Sequence, residues 1–501
     1  MTRPYRWAGI CLAFWFTVTT ATGQISSTAP LSGSVSDPSG ALIPGASVLV
    51  TNNATSARFE TITIENGTFT VPALTPGVYT VTVSLPSFKQ AIIPDVRINA
   101  GTPANVRVVL QVGAVTESIT VEAGTELLQT QTATVSTTVD MRQVLSLPVS
   151  RDGLAMVTLL AGINSTGDFR ASRVNGLSRE AINITIDGVN TQEYLKDTDF
   201  FSYVSPRTDA LEEVTVSTAA AGADATGQGA VHVKMVTRQG SNQFHGGVYE
   251  FHRNAALNSN SWFNNRDLAT VNGKAPRPRQ IQNQYGFKLG GPIIRDRAFF
   301  FVNYEESRVP SQIARTRLVL TPEAQAGVFR YTANANNPVN LLQLAAQNGH
   351  TATVDPVIGK LLQDIRTAAD GVGGLTQEPE PTLQRLRLLN RAESKNRFPT
   401  FRFDVNVTDR HHVETSYWYQ RFNSFPDTTN SIDPAFPGFP NTGGQSSDRY
   451  TYSLALRSTL TPRLVNEARI GLSGGTVRFR PEVSKAQFVG DVANQAGFNL
   501  Q

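Results

Sequence analysis

The stretch FRFDVNVTDRHHVETSYWYQ, Phe401 to Gln420, constrains the fold more than any other part of the chain. Phe401, Phe403, Val405 and Val407 alternate with Arg402, Asp404, Asn406 and Thr408. After a polar turn at Asp409–His411, Val413, Thr415, Tyr417 and Tyr419 alternate with Glu414, Ser416, Trp418 and Gln420. Successive side chains of a strand point to opposite faces, so this is a β-hairpin with one apolar and one polar face. Two settings accommodate it. In a water-soluble sheet the apolar face packs inward; in a membrane barrel the same alternation is turned inside out.

The connectors choose between them. Seven strands are expected after Gly240. They run over Phe244–His252, QYGFKLGG from Gln284, AFFFVNYEE from Ala298, the two arms of the hairpin, RYTYSLALRS from Arg449 and LVNEARIGLS from Leu464. The first, third and fifth connections are long, the third being an insertion from Val309 to Asn396; the second, fourth and sixth are tight turns. Long and short connectors in strict alternation are the mark of an antiparallel outer-membrane barrel, with loops outside the cell and turns in the periplasm. The expected strands, about 8 to 11 residues, come near the ~9–11 that a tilted crossing needs. An arginine at the bilayer midplane costs about 2–4 kcal/mol. The Phe/Tyr/Val face is therefore expected on lipid, and Arg402, Asp404, Asn406 and Glu414 toward a wet interior. Trp418 is the misfit, expected at a rim or against whatever fills the interior.

The N-terminus agrees with export. Arg3 and Arg6 precede an apolar run from Trp7 to Val18, and Ala21-Thr22-Gly23 has the small residues of a cleavage site, which predicts a signal peptide over residues 1–23. The chain's one cysteine, Cys11, lies within it, leaving no disulfide or thiolate site in the exported part. No later apolar run reaches 18 residues, so any membrane crossing must be made by strands. Charged residues are 17% of 501 and the net charge of +4 is dispersed, which gives no reason to expect nucleic acid. Arg277 and Arg279 read as a solvated loop.

Between Leu31 and Gln111, short alternating runs are punctuated by Pro and Gly, as in a small β-sandwich whose core holds Val48, Val50, Tyr79, Val81 and Val83. Gly33-x-Val35-x-Asp37-x-x-Gly40, Pro44-Gly45-Ala46-x-Val48, Asn66-Gly67-x-Phe69 and Pro76-Gly77-x-Tyr79 resemble the carboxypeptidase regulatory-like domain, a transthyretin-like sandwich related to carbohydrate-binding folds. Further on, MRQVLSLPVSRDGLAMVTLLAG reads as helical. Asn175-Gly176, Ile184-Thr185-Ile186-Asp187-Gly188-Val189, Leu211-Glu212-Glu213-Val214-Thr215-Val216, Gly227-x-Gly229-Ala230-Val231 and Val233-x-x-Val236-Thr237-x-x-Gly240 resemble the plug domain of TonB-dependent outer-membrane receptors. Ser217-Thr218-Ala219 departs from the Arg-Gly-Pro that many members carry there. With NQFHGGVYEFHRN, GGPI and FFFVNYEESR, the whole resembles the Oar-like subgroup with an N-terminal regulatory-like sandwich.

The resemblance implies a mainly β chain: signal peptide 1–23, sandwich 30–112, α+β plug 114–240, and 241–501 as the first part of a transmembrane β-barrel. Family barrels have more strands than the seven counted, so the sequence is expected to be the N-terminal fragment of a longer protein. The resemblance marks Asp187, Gly188, Gly227 and Gly229 as plug-motif residues. It marks Glu117, Ser118, Ile119, Thr120, Val121, Glu122 and Ala123 as a TonB-box candidate, an extended segment that adds as a strand to the periplasmic protein TonB. Implied partners are TonB, outer-membrane lipid and an unidentified cargo, with carbohydrate and peptide among the candidates.

Enzyme signals fail on chemistry. Gly222 and Gly227 have phosphate-loop spacing, but Gln228 and Gly229 stand where Lys and Ser/Thr are needed. His411 and His412 are adjacent and diverge; His245 and His252 fall on opposite faces of one strand. Asp197 and Asp199 read as an exposed loop. No catalytic, cofactor or metal residue is expected. In the insertion, PVNLLQLAAQ and DPVIGKLLQDIRTAAD have helical periodicity and would cap the extracellular end. Besides a transporter, two readings stay open: a non-transporting surface adhesin, and an envelope protein that binds carbohydrate through the sandwich.

Overall fold

A computed structural model describes residues 27–114, 118–120, 135–144, 151–158, 160, 162–164, 173–177, 182–192, 202–219, 231–267, 270, 273–330, 338–372, 375–441, 443–461 and 464–481. The expected signal peptide, Glu117, Val121, Glu122, Ala123, Asp197, Asp199 and the glycines Gly222, Gly227 and Gly229 lie outside the described residues.

The N-terminal strands are β1 (Ala29–Ser36), β2 (Ser47–Asn52), β3 (Arg58–Ile62), β4 (Thr68–Leu74), β5 (Gly77–Ser84), β6 (Gln90–Ile98) and β7 (Ala104–Val109). They form two facing sheets, β4-β1-β7 and β3-β2-β5-β6, and the second is extended by β8 (Ser118–Thr120), which runs parallel to β6. Val48, Val50, Tyr79, Val81 and Val83 are fully buried between them, as their alternation requires. The Tyr79 hydroxyl donates to the Thr75 carbonyl at 2.7 Å, so the ring is buried without orphaning its polar end.

Next comes an inner α+β unit. Its strands are β9 (Val135–Asp140), a small pair β10 (Ile163–Asn164) and β11 (Arg173–Val174), then β12 (Ile182–Ile186), β13 (Val189–Asn190), β14 (Leu211–Ala219) and β15 (Val231–Thr237). The sheet order is β13-β12-β15-β14-β9, with β12 and β15 parallel. Every residue of β12 and β15 is buried, so both faces of the sheet are covered. Of the stretch read as helical, the described residues hold two short helices, Met141–Val144 and Gly153–Val157, with Arg151 and Asp152 outside helix. Asp152 stands outside helical geometry and caps the second, its carboxylate accepting the Leu154 N–H at 2.9 Å.

The third layer is a meander of seven strands, each antiparallel to the next: β16 (His245–Asn254), β17 (Ile281–Ile294), β18 (Ala298–Leu320), β22 (Leu383–Thr408), β23 (His411–Phe425), β24 (Gly443–Thr461) and β25 (Leu464–Pro481). The third connector contains β19 (Val328–Phe329), β20 (Val339–Asn340), β21 (Thr376–Gln377) and the expected helices, Leu341–Gln347 and Pro356–Val372. Connector lengths alternate as expected. Parity also holds: Phe401 and Phe403 are 47% and 38% exposed on the outer face, whereas Arg402 and Asp404 are 6% and 2% exposed on the inner one.

Strand length is a second correction. β18 has 23 residues and β22 has 26, not the 8 to 11 expected. Arg308–Leu320 pairs residue by residue with Leu383–Lys395, so both ends of the supposed insertion continue the hairpin. Pro310 and the mixed polarity of this stretch hide it: neither of its faces is uniformly apolar, so the period-two contrast fades. The turn is also one residue shorter than read, since His411 begins β23.

A lipid-soluble carbene probe applied to the protein in its native membrane is expected to modify Phe401, Phe403 and Tyr417 and to spare Arg402, Asp404 and Glu414. Phe403→Arg is expected to cost about 2–4 kcal/mol of membrane-inserted stability, read as a loss of assembled protein from the outer-membrane fraction.

Candidate functional site

The inner sheet meets the meander along a row of charges set by strand register. Asp404 on β22 lies directly opposite Glu414 on β23, Glu414 opposite Ala455 on β24, and Ala455 opposite Arg469 on β25. Two carboxylates side by side repel. Here the small Ala455 lets Arg469 reach over it to Glu414 at 2.9 Å, while Arg402 bonds Asp404 at 2.8 Å and Glu414 at 3.2 Å. Arg469 also pairs with Glu467 at 2.8 Å.

The adjoining row is made of small residues: Arg402 is followed across the sheet by Ser416, Ser453 and Gly471. This depression receives the turn between β12 and β13. Asp187 and Gly188 both have positive φ, 46° and 75°, the geometry of a tight Asp-Gly hairpin turn. The Asp187 carbonyl accepts from Ser453 Oγ at 3.3 Å and from the Arg469 guanidinium. A Cβ on Gly471 would lie 2.3 Å from Val189, so only glycine admits the turn. The buried Asp187 carboxylate accepts the Thr237 N–H at 2.8 Å and the Thr237 hydroxyl. Arg402 donates to the Thr237 carbonyl at 3.0 Å and lies 3.7 Å from Asp187. Trp418, 2% exposed, donates its indole N–H to Thr237 Oγ1 at 2.9 Å. It packs against the inner unit, one of the two places expected for it.

Further bonds cross the same seam. Arg207 donates to Glu305 at 2.5 Å, and Glu305 also accepts from Gln284 at 2.7 Å and Tyr249 at 3.1 Å. Asp209 is held by Arg151 from its own unit at 3.0 Å and by Lys288 from the meander at 2.7 Å. An apolar component accompanies them, for Phe301 and Trp418 join the inner unit's core cluster. Asp404, His412 and Glu414 bring potential metal ligands within 4.8 Å, a grouping that sequence reading missed because it depends on pairing register. Arg402 and Arg469 already neutralise its carboxylates.

The sandwich docks on the inner unit through a second seam. The Ala100 N–H donates to Glu213, and Arg97 pairs with Asp140 at 2.7 Å. Burial pushes the Glu213 carboxyl up to about 7. Toward the short-turn end, a cleft of about 940 Å³ separates β3 from the turns of the meander, with Arg58, Glu60, Asp296, Arg297, Asp409 and Arg457 among its walls. Of the segment Glu117–Ala123, only Ser118–Thr120 is described, and it lies on the sandwich edge, apart from the charged seam. Asp187 and Gly188 sit at the seam.

Residues 236–500 match a family model described as an outer membrane beta barrel domain, and residues 30–111 match one described as a carboxypeptidase regulatory-like domain. The chain belongs to the outer-membrane β-barrel family. Its place is therefore the Gram-negative outer membrane, and the seven-stranded meander is barrel wall. The chain is 24% identical over 301 residues to the TonB-dependent transporter Oar of Myxococcus xanthus, covering 57% of this chain and 27% of that protein. It thus spans about a quarter of the length of that curated relative. Among solved structures, it is similar to the outer membrane transporter YddB of Escherichia coli, at 12% identity, TM-score 0.42 and coverage of 68% of this chain and 39% of that one. It is also similar to the ferric enterobactin receptor of Pseudomonas aeruginosa, at 14% identity, TM-score 0.38 and coverage of 69% and 42%.

Two outcomes are expected. Arg402→Ala leaves buried carboxylates facing one another and should cost about 3–5 kcal/mol, read as a lower temperature for loss of the folded band in semi-native electrophoresis. Adding Asp404→Ala should cost less than the sum of the single changes. Separately, Glu213 binds a proton when the sandwich is docked that it does not hold when free, between its ordinary 4.5 and about 7. Docking is then strongest below this window and weakens as pH rises through it, by about 1.4 kcal/mol per unit at most. Glu213→Gln should flatten the dependence, measured as protection of the 97–102 segment from proteolysis across pH.

Proposed function

We propose that the protein is a TonB-dependent outer-membrane transporter. In this reading residues 30–112 form a periplasmic sandwich, 114–240 the plug and 241–501 part of the barrel wall. Glu117–Ala123 is the strand that TonB grips, and the cargo, carbohydrate or peptide, crosses once the plug is drawn aside. The observation that carries the reading is the seating of the Asp187–Gly188 turn against Arg402, Ser453 and Arg469 on the inner face of the wall. A unit held in a barrel largely by charges and hydrogen bonds can exchange those bonds for water as it moves, whereas a wholly apolar seam would expose oily surface at full cost. The similarity to a TonB-dependent transporter supports the same reading.

The test uses the full-length gene. Deleting Glu117–Ala123 is expected to leave the protein at wild-type level in the outer membrane and to reproduce the metabolite and exported-protein profile of the null strain. If the null strain differs from wild type while the deletion strain matches wild type, the transporter reading fails. Adhesion of cells that persists in the deletion strain and disappears in the null would favour a surface adhesin.

A further inference from the structure

The described part of the TonB-box candidate is already a strand. Ser118, Ile119 and Thr120 lie parallel to Gln90, Ala91 and Ile92, and the sheet order β3-β2-β5-β6-β8 ends on this segment. The chain is guided there by backbone bonds that begin well before it. The Leu110 N–H donates to Ser36 at 2.8 Å, the Lys89 N–H to Gln111 at 2.8 Å, and the Gly113 N–H to Ser87 at 3.1 Å. Phe88 and Val112 add a bridge. A Cβ on Gly113 would lie 2.6 Å from Cγ of Lys89, so a larger residue there must push the Lys89 side chain aside.

The two edges of the five-stranded sheet differ in a way that bears on strand addition. Edge strand β3 carries Arg58 and Glu60, lines the cleft facing the turns of the wall, and has Arg457 over its Phe59 ring at 6.0 Å. Charges on an edge discourage pairing with another chain. The opposite edge, β8, is Ser-Ile-Thr, uncharged and in extended geometry, and among the described residues nothing pairs with its outer side.

We infer that the sandwich is a docking platform for TonB: it holds Ser118–Thr120 as the last strand of its sheet and offers the outer edge of that strand to TonB, so that one sheet runs through β8 from receptor to partner. The inference rests on the transporter reading and names how its partner is received. Strand addition pairs main-chain groups along one edge and leaves the other free for β6. A segment already extended and in register spares the partner the cost of ordering it.

The test uses the full-length receptor in detergent and the purified periplasmic domain of TonB as probe. Ile92→Cys with Thr120→Cys places cysteines at a register pair, and oxidation then fastens β8 to β6. TonB affinity is expected to stay within about threefold of wild type, or to tighten, in the oxidised form. Amide protection on binding should rise in β8. Gly113→Val, which crowds the Lys89 side chain beside the exit path, should weaken binding about tenfold where it frees β8 from β6. A loss of tenfold or more on oxidation, restored by reduction, overturns the inference, because the sandwich would then withhold the strand rather than present it. Unchanged affinity in Gly113→Val with β8 shown unprotected would do the same. Deleting Ser118–Thr120 separates the two readings: persistent TonB binding removes both, whereas loss of binding there with loss on cross-linking removes the platform alone.

Discussion

A sheet with hydrocarbon on one side and charged protein on the other can be built in one register only. Slipping a strand by one residue would turn Phe401 and Phe403 inward and send Arg402 and Asp404 into lipid. The cost of a single buried arginine there already rivals a sizeable part of a domain's net stability. Parity is thus not one preference among several in this molecule. It fixes which residues of β22 and β23 face each other, and through that which charges must find partners inside.

The inner face then shows how side-chain size converts register into a docking surface. The row carrying Asp404 and Glu414 would be unstable alone, and Ala455 keeps it by leaving room for Arg469 to lean across. The neighbouring row of Ser416, Ser453 and Gly471 is low enough to admit a hairpin turn, and Asp187 with Gly188 supplies one. Neither row is a motif along the chain. Each is assembled from strands whose residues are not neighbours in the chain, and the apolar contacts of Phe301 and Trp418 with the inner core accompany the same seam.

That arrangement explains what could be read beforehand. The outer meander, its connector alternation, its exposed apolar and buried polar faces, the sandwich core around Tyr79 and the contact of Trp418 all follow from period-two patterning and turn residues. The extensions of β18 and β22 did not, because beyond the apolar band both faces are mixed and Pro310 reads as a break. The helices at Met141–Val144 and Gly153–Val157 were legible as helical, but their ends were not. The charged seam was half legible. The alternation assigned Arg402, Asp404 and Glu414 to the interior, but their mutual pairing, and that of Arg469 and Glu305, depends on cross-strand register that no single strand carries. The strand pairing of Ser118–Thr120 with β6 was likewise invisible, since three residues contain too little pattern to choose a neighbour.

The two seams around the inner unit differ in how their charges are compensated. At the wall, Asp404 and Glu414 each meet an arginine, so removing one partner is costly. At the sandwich, Glu213 has a backbone N–H for company and Arg97 engages Asp140 instead, which leaves Glu213 to resolve its burial by taking up a proton. Of the two seams, the one at the sandwich is therefore the one whose strength depends on pH near neutrality.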